Sequence, residues 1–299
     1  MQPGKPSRTS EGTTAVRARE MRRPEGDRIC SDPFAPHFLS PFFLTLRKYP
    51  LLGRAFGWLS ERRCPGLRGG ILARTRYIDE RMTASLNDGI EQLVILGAGY
   101  DSRGYRLITA SNKVTVFEVD HPATQTVKIA KLRNLFGTIP EHVVFVPVDF
   151  CEDDLRNRLC ESGYDRTKKT LFIWEGVLYY LTAEAVDATL DFIAHNSACG
   201  SSVIFGYFPQ AVIDGTHSGR EAKRMFARVK DWGEPFRFGI RDEEIEPFLR
   251  ERGFGRIDIV TSSACKEAWF HGVNKNIHVS DVFRFVHAVH FSGGGGEDE

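Results

Sequence analysis

Acidic side chains stand at the ends of three apolar, β-branched runs in the middle of this 299-residue chain. The first run in this part of the chain covers residues 93–96. Glu118 and Asp120 lie at the end of the second run. Asp149 follows the third run, and Glu175 follows the fourth. At the carboxyl ends of neighbouring parallel strands, such carboxylates can accept hydrogen bonds from ribose hydroxyls, an adenine amino group or an ammonium. Helix N-capping is the alternative role for a single acid such as Asp149, but it does not account for all four.

A glycine-rich loop directly follows the first run. It reads Gly97-Ala98-Gly99-Tyr100-Asp101-Ser102-Arg103-Gly104. Glycines in such a loop let a ligand approach the backbone closely. The dinucleotide fingerprint G-x-G-x-x-G requires glycine at position 102, where this chain has serine. The serine weakens the interpretation as a NAD site, although a NAD-type oxidoreductase remains an alternative function.

The elements that must position these residues alternate between strands and helices. Five apolar runs recur with room for one helix between each pair, at residues 93–96, 114–117, 143–146, 171–174 and 202–205. Nearly continuous apolar runs are typical of a parallel sheet that helices cover on both faces. Thr182 is expected to cap the helix that follows the fourth run. Two further strands are expected at 257–260 and 282–291. The sequence therefore predicts an α/β fold with a doubly wound, Rossmann-like sheet whose last strand is antiparallel.

The domain organisation follows from changes in composition and hydrophobic pattern along the chain. We expect a helical extension at residues 1–88, with Phe42, Phe43 and Trp58 in its core. The sheet domain should span residues 89–292, with a helical insert at about 210–252 that includes a charged stretch near 219–230 and a helix near 242–252. Residues 293–299 are expected to form a disordered tail.

Composition and charge exclude several classes of protein. The 40 Lys+Arg and 39 Asp+Glu residues give a net charge of +1, so no global field attracts a nucleic acid or a membrane. The apolar stretches are too short or too polar to span a bilayer, and no signal-peptide core begins the chain. Six cysteines without a C-x-x-C pair predict free thiols, mostly in the core, and no metal site. A cytoplasmic protein without nucleic-acid or membrane partners is therefore expected, and the basic segment before residue 24 is interpreted as a solvated tail plus a first helix.

Six segments of the chain are recognisable when they are read together. They are RRPEGDRICSDPFAPHFL, ILARTRYIDERM, VILGAGYDSRGYRL, FEVDHP, VPVDF and FIWEGVLYYL. This combination resembles the leucine carboxyl methyltransferase family of S-adenosylmethionine-dependent O-methyltransferases, in particular its prokaryotic small-molecule branch. The resemblance covers residues 13–291 approximately. It implies a class I methyltransferase fold with seven strands, an N-terminal helical lid and an inserted helical cap.

The resemblance implies a role for the glycine-rich loop and for one arginine in binding S-adenosylmethionine. Gly97, Ala98 and Gly99 would line the methionine part of the cofactor. Asp101 would shape the loop together with Arg103. The guanidinium of Arg74 would bind the cofactor carboxylate, a pairing that its planar geometry suits.

The resemblance also implies roles for the acids after the strands. Asp120 would hold the ribose hydroxyls, and Glu118 would support it. Asp149 and Phe150 would bracket the adenine. Glu175 would face the ammonium of the cofactor or the reacting centre.

The expected chemistry is in-line displacement at the sulfonium methyl group by an acceptor oxygen, with S-adenosylhomocysteine as the product. Positioning and exclusion of water are the main tasks of such an enzyme. A carboxylate acceptor needs no strong base, whereas a hydroxyl acceptor would need one. The catalytic candidates are Glu175, Tyr180, Tyr207 and His271, and Tyr179, Phe208 and Arg237 are further residues expected near the acceptor.

The acceptor is expected to be a small organic molecule that offers a carboxylate or a hydroxyl. A protein C-terminal carboxylate is the less favoured substrate, because the segments after strands four and five look more like the small-molecule branch. A non-catalytic, nucleoside-binding regulatory protein remains as a third hypothesis.

Overall fold

A seven-stranded sheet forms the centre of the fold. In the computed structural model, which describes residues 8–109, 112–150, 153–217, 219, 222–224 and 236–291, the strand order is β3-β2-β1-β4-β5-β7-β6. Strands β1 to β5 are parallel, and β7 runs antiparallel to both of its neighbours. This confirms the predicted class I methyltransferase sheet. The strands are β1 (Gln92–Leu96), β2 (Thr115–Asp120), β3 (Val143–Pro147), β4 (Thr170–Trp174), β5 (Ser202–Tyr207), β6 (Phe254–Thr261) and β7 (Arg284–His290).

Helices precede the sheet and connect its strands. The N-terminal helices are α1 (Arg8–Glu20), α2 (Pro41–Lys48), α3 (Pro50–Arg63) and α4 (Leu67–Asn87). The connecting helices are α5 (Arg103–Arg106), α6 (Pro122–Phe136), α7 (Leu155–Glu161), α8 (Ala183–His195), α9 (Gln210–Ile213), α10 (Ile245–Arg250) and α11 (Ser262–Trp269). The sequence signal at Thr182 is confirmed, because its side chain accepts a hydrogen bond from the N–H of Ala185 and begins α8.

The two faces of the sheet carry separate hydrophobic cores. On β1, Leu93 and Ile95 belong to one core, and Val94 and Leu96 belong to the other. Every residue of this strand is buried, which explains the uninterrupted apolar run in the sequence. Helix α4 joins the first core through residues such as Leu72.

Helices α2 and α3 contribute no buried residue, in contrast to α4. Phe42 is 56% exposed and Trp58 is 60% exposed, so the prediction that these rings form a core is wrong. Phe43 is half-buried and packs against the small cluster that contains Ala18 and Leu39. The reason is that α2 and α3 do not pack against the sheet.

Some predicted segments fall partly or wholly outside the described residues. Of the charged stretch at 219–230, the structure describes only 219 and 222–224, and the tail at 293–299 is not described. Helix α10 is shorter than the predicted 242–252. Within the described ranges, no group of histidine, cysteine and acidic residues could hold a metal ion.

The thiols and the membrane expectation can be compared with the part of the chain that the structure describes. Cys30 and Cys265 are buried free thiols and Cys64 is also buried, whereas Cys160 and Cys199 are free and exposed. The prediction that the cysteines fill the core therefore applies to three of these five. No helix among the described residues combines the length and the apolar content that crossing a bilayer requires.

Candidate active site

The carboxylate of Glu175 lies between two guanidinium groups just beyond the end of β4. Arg74 Nε, from α4, is 2.7 Å from Glu175 Oε1, and Arg103 Nη1, from α5, is 2.6 Å from Glu175 Oε2. Burial alone would raise the pKa of Glu175, but the guanidinium groups of Arg74 and Arg103 outweigh burial and hold the pKa well below its usual range. Glu175 is therefore a permanently ionised, weakly basic carboxylate at neutral pH.

Arg103 connects Glu175 to further acids. Its Nε lies 2.7 Å from Asp79 Oδ1, and its Nη1 also pairs with Asp101. Burial favours the neutral form of Asp101, yet Arg103 lowers the pKa of this acid overall. Arg106 Nη2 lies 2.6 Å from the same oxygen of Asp79. Because Arg103 is only 1% exposed, each of these charges depends on its partners rather than on water.

The same ion network reaches the first helix of the chain. Arg17 Nε lies 3.0 Å from Asp32 Oδ2, and Arg17 Nη2 donates to the carbonyl of Tyr100 at 2.7 Å. The hydroxyl of Ser102 donates to Asp32 Oδ1 at 2.7 Å. Arg17 is a buried residue of α1, the first helix that the sequence predicted, and so it belongs to the site rather than to a solvated tail. The serine that breaks the dinucleotide fingerprint thus takes part in the network.

The glycine-rich loop follows β1 and has two residues with positive φ. Gly97 has φ +68° and Gly99 has φ +43°, which L side chains rarely adopt. A Cβ at Gly97 would overlap with Val177, and a Cβ at Gly99 would lie 2.6 Å from Ser10 Oγ. Ser10 Oγ accepts from the N–H of Tyr100 at 3.1 Å. Helix α1 therefore lies directly on this loop.

Asp120, at the end of β2, is bound to the glycine-rich loop. Its Oδ2 accepts a hydrogen bond from the N–H of Gly99, and its Oδ1 accepts one from the N–H of His121 at 2.6 Å. Burial raises the pKa of Asp120 in spite of these donors. His121 Nε2 lies 3.6 Å from Asp149 Oδ2. The ends of β1, β2 and β3 therefore bring Gly99, Asp120 and Asp149 together, as predicted.

Other predicted cofactor residues near these strands differ in exposure. Glu118 is buried below Asp120, and its Oε2 lies 2.7 Å from Lys128 Nζ. Its side chain supports α6 and has no surface in the crevice. Phe150 is half-buried against the second core, and Asp149 does not cap α7, since Asp154 occupies that position. Ala98 is buried, and its N–H donates to the carbonyl of Val119 at 2.9 Å.

A cavity of about 1040 Å³ lies beside Arg74. Residues of helices α1, α2, α3 and α4 line it. A cluster of aromatic rings forms the opposite wall, where Tyr179 lies 4.7 Å from Phe208 and 4.9 Å from Phe236 between ring centroids. Tyr180 also lines the cavity. Arg74 Nη1 donates to Tyr179 Oη at 3.5 Å, so the ionic network forms the floor of the cavity.

Two of the predicted catalytic residues lie elsewhere. Tyr207 is buried in the second core, and its hydroxyl donates to Asp242 Oδ1 at 2.9 Å. The alternation of side chains along the chain places Phe208, not Tyr207, on the face of the sheet that carries the cavity. His271 is exposed after α11, with its Nε2 3.0 Å from the carbonyl of Ala268. Neither Tyr207 nor His271 is therefore among the residues that line the cavity, and Arg237 is likewise exposed outside its wall.

Sequence reasoning missed several residues of the site. Asp79 and Asp32 were not identified, although both lie within segments that carried the resemblance. Arg17 was included only as part of a basic segment. Phe236 had no signal at all, because an isolated aromatic residue does not indicate which wall it will join. These partners are distant in sequence and meet only in the folded chain.

The chemistry of the donor set fits S-adenosylmethionine. Asp120 and Asp149 are carboxylates at adjacent strand ends beside glycines that leave the loop backbone without side chains. Arg103 Nη2 is buried and has no hydrogen-bond partner among the described residues, so one cationic donor remains unpaired next to Glu175. Ribose hydroxyls, an ammonium and a carboxylate are groups that this set can bind.

Comparison with known proteins agrees with this geometry. Residues 10–194 match the model of the family described as leucine carboxyl methyltransferase. The chain belongs to this family. It is 32% identical over 218 residues to "Putative S-adenosyl-L-methionine-dependent methyltransferase YktD" of Bacillus subtilis (strain 168), covering 73% of this chain and 71% of that protein. A namesake from Mycolicibacterium gilvum (strain PYR-GCK) is 32% identical over 232 residues, covering 75% and 74%.

Solved structures support the fold. The crystal structure of a "putative methyltransferase" from Thermobifida fusca YX aligns with this chain. The TM-score is 0.59 and the sequence identity is 15%, and the alignment covers 97% of both chains. Family membership confirms the predicted S-adenosylmethionine-dependent methyltransferase class and its cofactor. These findings support S-adenosylmethionine rather than NAD as the ligand of the crevice.

Proposed function

We propose that this family member transfers a methyl group to a carboxylate oxygen of a small organic acceptor that binds in the cavity. Bound S-adenosylmethionine supplies an activated sulfonium methyl group, and the products are a methyl ester and S-adenosylhomocysteine. The observation that carries the proposal is the position of the cavity. It ends on Arg74 and Tyr179, next to the Glu175 network at the carboxyl edge of the sheet.

The chain's own residues have separate tasks in this proposal. Asp120 and Asp149 hold the ribose and the adenine, and Gly97 and Gly99 leave room for the methionine part. Arg74 binds the cofactor carboxylate, which requires it to share its guanidinium with Glu175. The apolar walls of the cavity exclude water from the reacting oxygen.

The basicity of the site favours a carboxylate acceptor over a hydroxyl. Glu175 is held ionised by two guanidinium groups and is a poor proton acceptor. No histidine is among the described residues that line the cavity. An acceptor that is already ionised needs no base, whereas a hydroxyl would have to lose a proton. The family description, leucine carboxyl methyltransferase, agrees with this choice.

Calorimetric titration with S-adenosylmethionine, S-adenosylhomocysteine and NAD tests the cofactor part of the proposal. Micromolar binding of both sulfur nucleosides without NAD binding is the expected result. Binding of NAD alone would overturn it.

A methylation assay tests the acceptor part. The enzyme is incubated with methyl-labelled S-adenosylmethionine and matched sets of small carboxylic acids and alcohols. Methyl esters release volatile methanol in alkali, whereas methyl ethers do not. Label that stays bound after alkali treatment would show a hydroxyl acceptor, and label on a protein C-terminus would show a macromolecular one.

A further inference from the structure

The large cavity carries a surplus of positive charge. Seven arginines and two glutamates are among its described lining residues. Glu175 and Glu20 pair with cavity arginines from behind the wall. Even with these two acids included, three positive charges remain uncompensated. An apolar cavity with such a surplus is suited to an anion that brings its own hydrophobic body.

Arg19 is the clearest unpaired charge in the cavity. It extends from α1 across to α3, where a Cβ on Gly57 would overlap with its guanidinium. Among the described residues, no carboxylate forms an ion pair with Arg19. Partial desolvation, followed by the nearby guanidinium of Arg68, lowers the pKa of Arg19, although the residue as a whole is exposed. The lack of a side chain at Gly57 is therefore what leaves space for this cation.

Arg68 lies close to Arg19 and is incompletely paired. Its Nη2 is 3.3 Å from Glu20 Oε2, but Glu20 also pairs with Arg23 at 3.0 Å and accepts from the N–H of Ile29 at 3.0 Å. The Nε of Arg68 is buried and has no hydrogen-bond partner among the described residues. One acid is thus shared by two arginines, and Arg68 retains a free donor.

The two arginines are separated from the reacting end of the cavity by an apolar surface. Arg68, Ile71 and Arg74 line the cavity from successive turns of α4. Six residues of helix place Arg68 about 9 Å from Arg74 along the axis. Ile71 lies between these two positions on α4, and the rings of Phe43, Phe56, Phe208 and Phe236 also line the cavity.

We propose that the cavity binds an amphipathic acceptor whose anionic group is held by Arg19 and Arg68. Its apolar body lies against Ile71 and the surrounding rings, and the oxygen that receives the methyl group lies at the Arg74 end. Methyl transfer to the bound molecule rests on the proposed function, whereas the anion site itself does not. The acceptor is therefore an elongated apolar molecule with an anionic group distant from its reacting carboxylate.

Calorimetry with decanoate and 1-decanol tests the site without any methyl transfer. These probes share an apolar chain and differ in charge. Decanoate should bind the wild-type protein more tightly than 1-decanol. Arg19→Gln should weaken the binding of decanoate about tenfold, which is the effect of losing a charged hydrogen bond. The affinity for 1-decanol should stay unchanged. Arg63→Gln, a substitution of an exposed arginine of α3 outside the cavity wall, is the matched control.

Two further measurements separate loss of the anion site from loss of the fold or of the apolar wall. Phe43→Ala should weaken both probes, and unchanged thermal unfolding of Arg19→Gln should show that its fold is intact. Equal affinity of the two probes, or an Arg19→Gln effect no larger than that of Arg63→Gln, would overturn the proposal. Displacement of decanoate by S-adenosylhomocysteine would also overturn it, since the arginines would then belong to the cofactor site. If S-adenosylhomocysteine binds but decanoate does not, this inference fails while the proposed function stands.

Discussion

The floor and the roof of the cavity are built from the same N-terminal part of the chain but in opposite ways. Helix α4 supplies Arg74 and Asp79 to a buried ion network and packs on the sheet. Helices α2 and α3, which form the roof, bury none of their residues. Hydrogen bonds such as that from Arg47 Nη1 to the carbonyl of Ala18, at 3.1 Å, connect the roof to α1.

This difference indicates where the site is rigid and where it can adapt. In the floor, each buried charge is stable only with its partners present, so its geometry is fixed. In the roof, apolar side chains are exposed to water, with Leu51 at 78%, and few contacts oppose their displacement. The cofactor side should therefore tolerate few substitutions, and the acceptor side should tolerate many.

The largest expected effect is on the floor, from Glu175→Gln. The substitution leaves Arg74 and Arg103 buried against a neutral amide, which should lower the free energy of unfolding by about 3–5 kcal/mol. Urea unfolding followed by circular dichroism measures the change. Glu246→Gln, which removes the exposed pair with Arg250, is the control and should cost less than about 1 kcal/mol. Equal losses in the two variants would remove the distinction between floor and surface.

Lowering the pH should reduce the difference in unfolding free energy between wild type and Glu175→Gln. The pKa of Glu175 is lower in the folded chain than its ordinary value of 4.5, so its stabilising contribution is complete above that pH. It decreases as pH falls below 4.5, because the unfolded chain then binds a proton that the folded chain does not. The unfolding free energies of wild type and Glu175→Gln should therefore approach each other from about pH 5 to pH 3 and still differ at pH 3, because the folded pKa lies well below its usual range. A constant difference over this range would contradict the assigned ionisation.

Asp120→Ala should have a smaller effect, which is on the affinity for the cofactor. Loss of a hydrogen-bond acceptor for the ribose should weaken S-adenosylhomocysteine by more than about tenfold, which equals ~1.4 kcal/mol. Calorimetry measures the affinity. Asp149→Ala should have a smaller effect, because that carboxylate is half-exposed and partly solvated. Unchanged affinity in Asp120→Ala would show that the ribose binds elsewhere.

The smallest effects should come from the roof. Leu51→Ser and Trp58→Ser replace exposed side chains and should change the free energy of unfolding by less than about 0.5 kcal/mol. Leu72→Ala, in the buried part of α4, should cost about 2–5 kcal/mol. Chemical unfolding of the three variants compares them directly. A loss of more than about 2 kcal/mol for the roof variants would mean that the roof is covered in solution.

Local patterns predicted the sheet and the acids at its edge. The apolar runs, the turn glycines and the Thr182 cap are short-range signals, and the strands formed where these signals lay. Asp120 and Asp149 could be placed together because parallel strands end at one edge of a sheet. The rings of α2 and α3 show the limit of such patterns, since an aromatic helix does not reveal whether a partner covers it.

The sequence by itself determined the family, the order of strands and helices, and the carboxylates and glycines that follow β1 to β4. Only the tertiary structure decided which side chains share a space. Tyr207 and Phe208 are adjacent in sequence, yet they face opposite sides of the sheet because side chains alternate along the chain. Arg17 pairs with Asp32, and Asp79 pairs with Arg103 and Arg106, because a charge removed from water needs an opposite charge beside it.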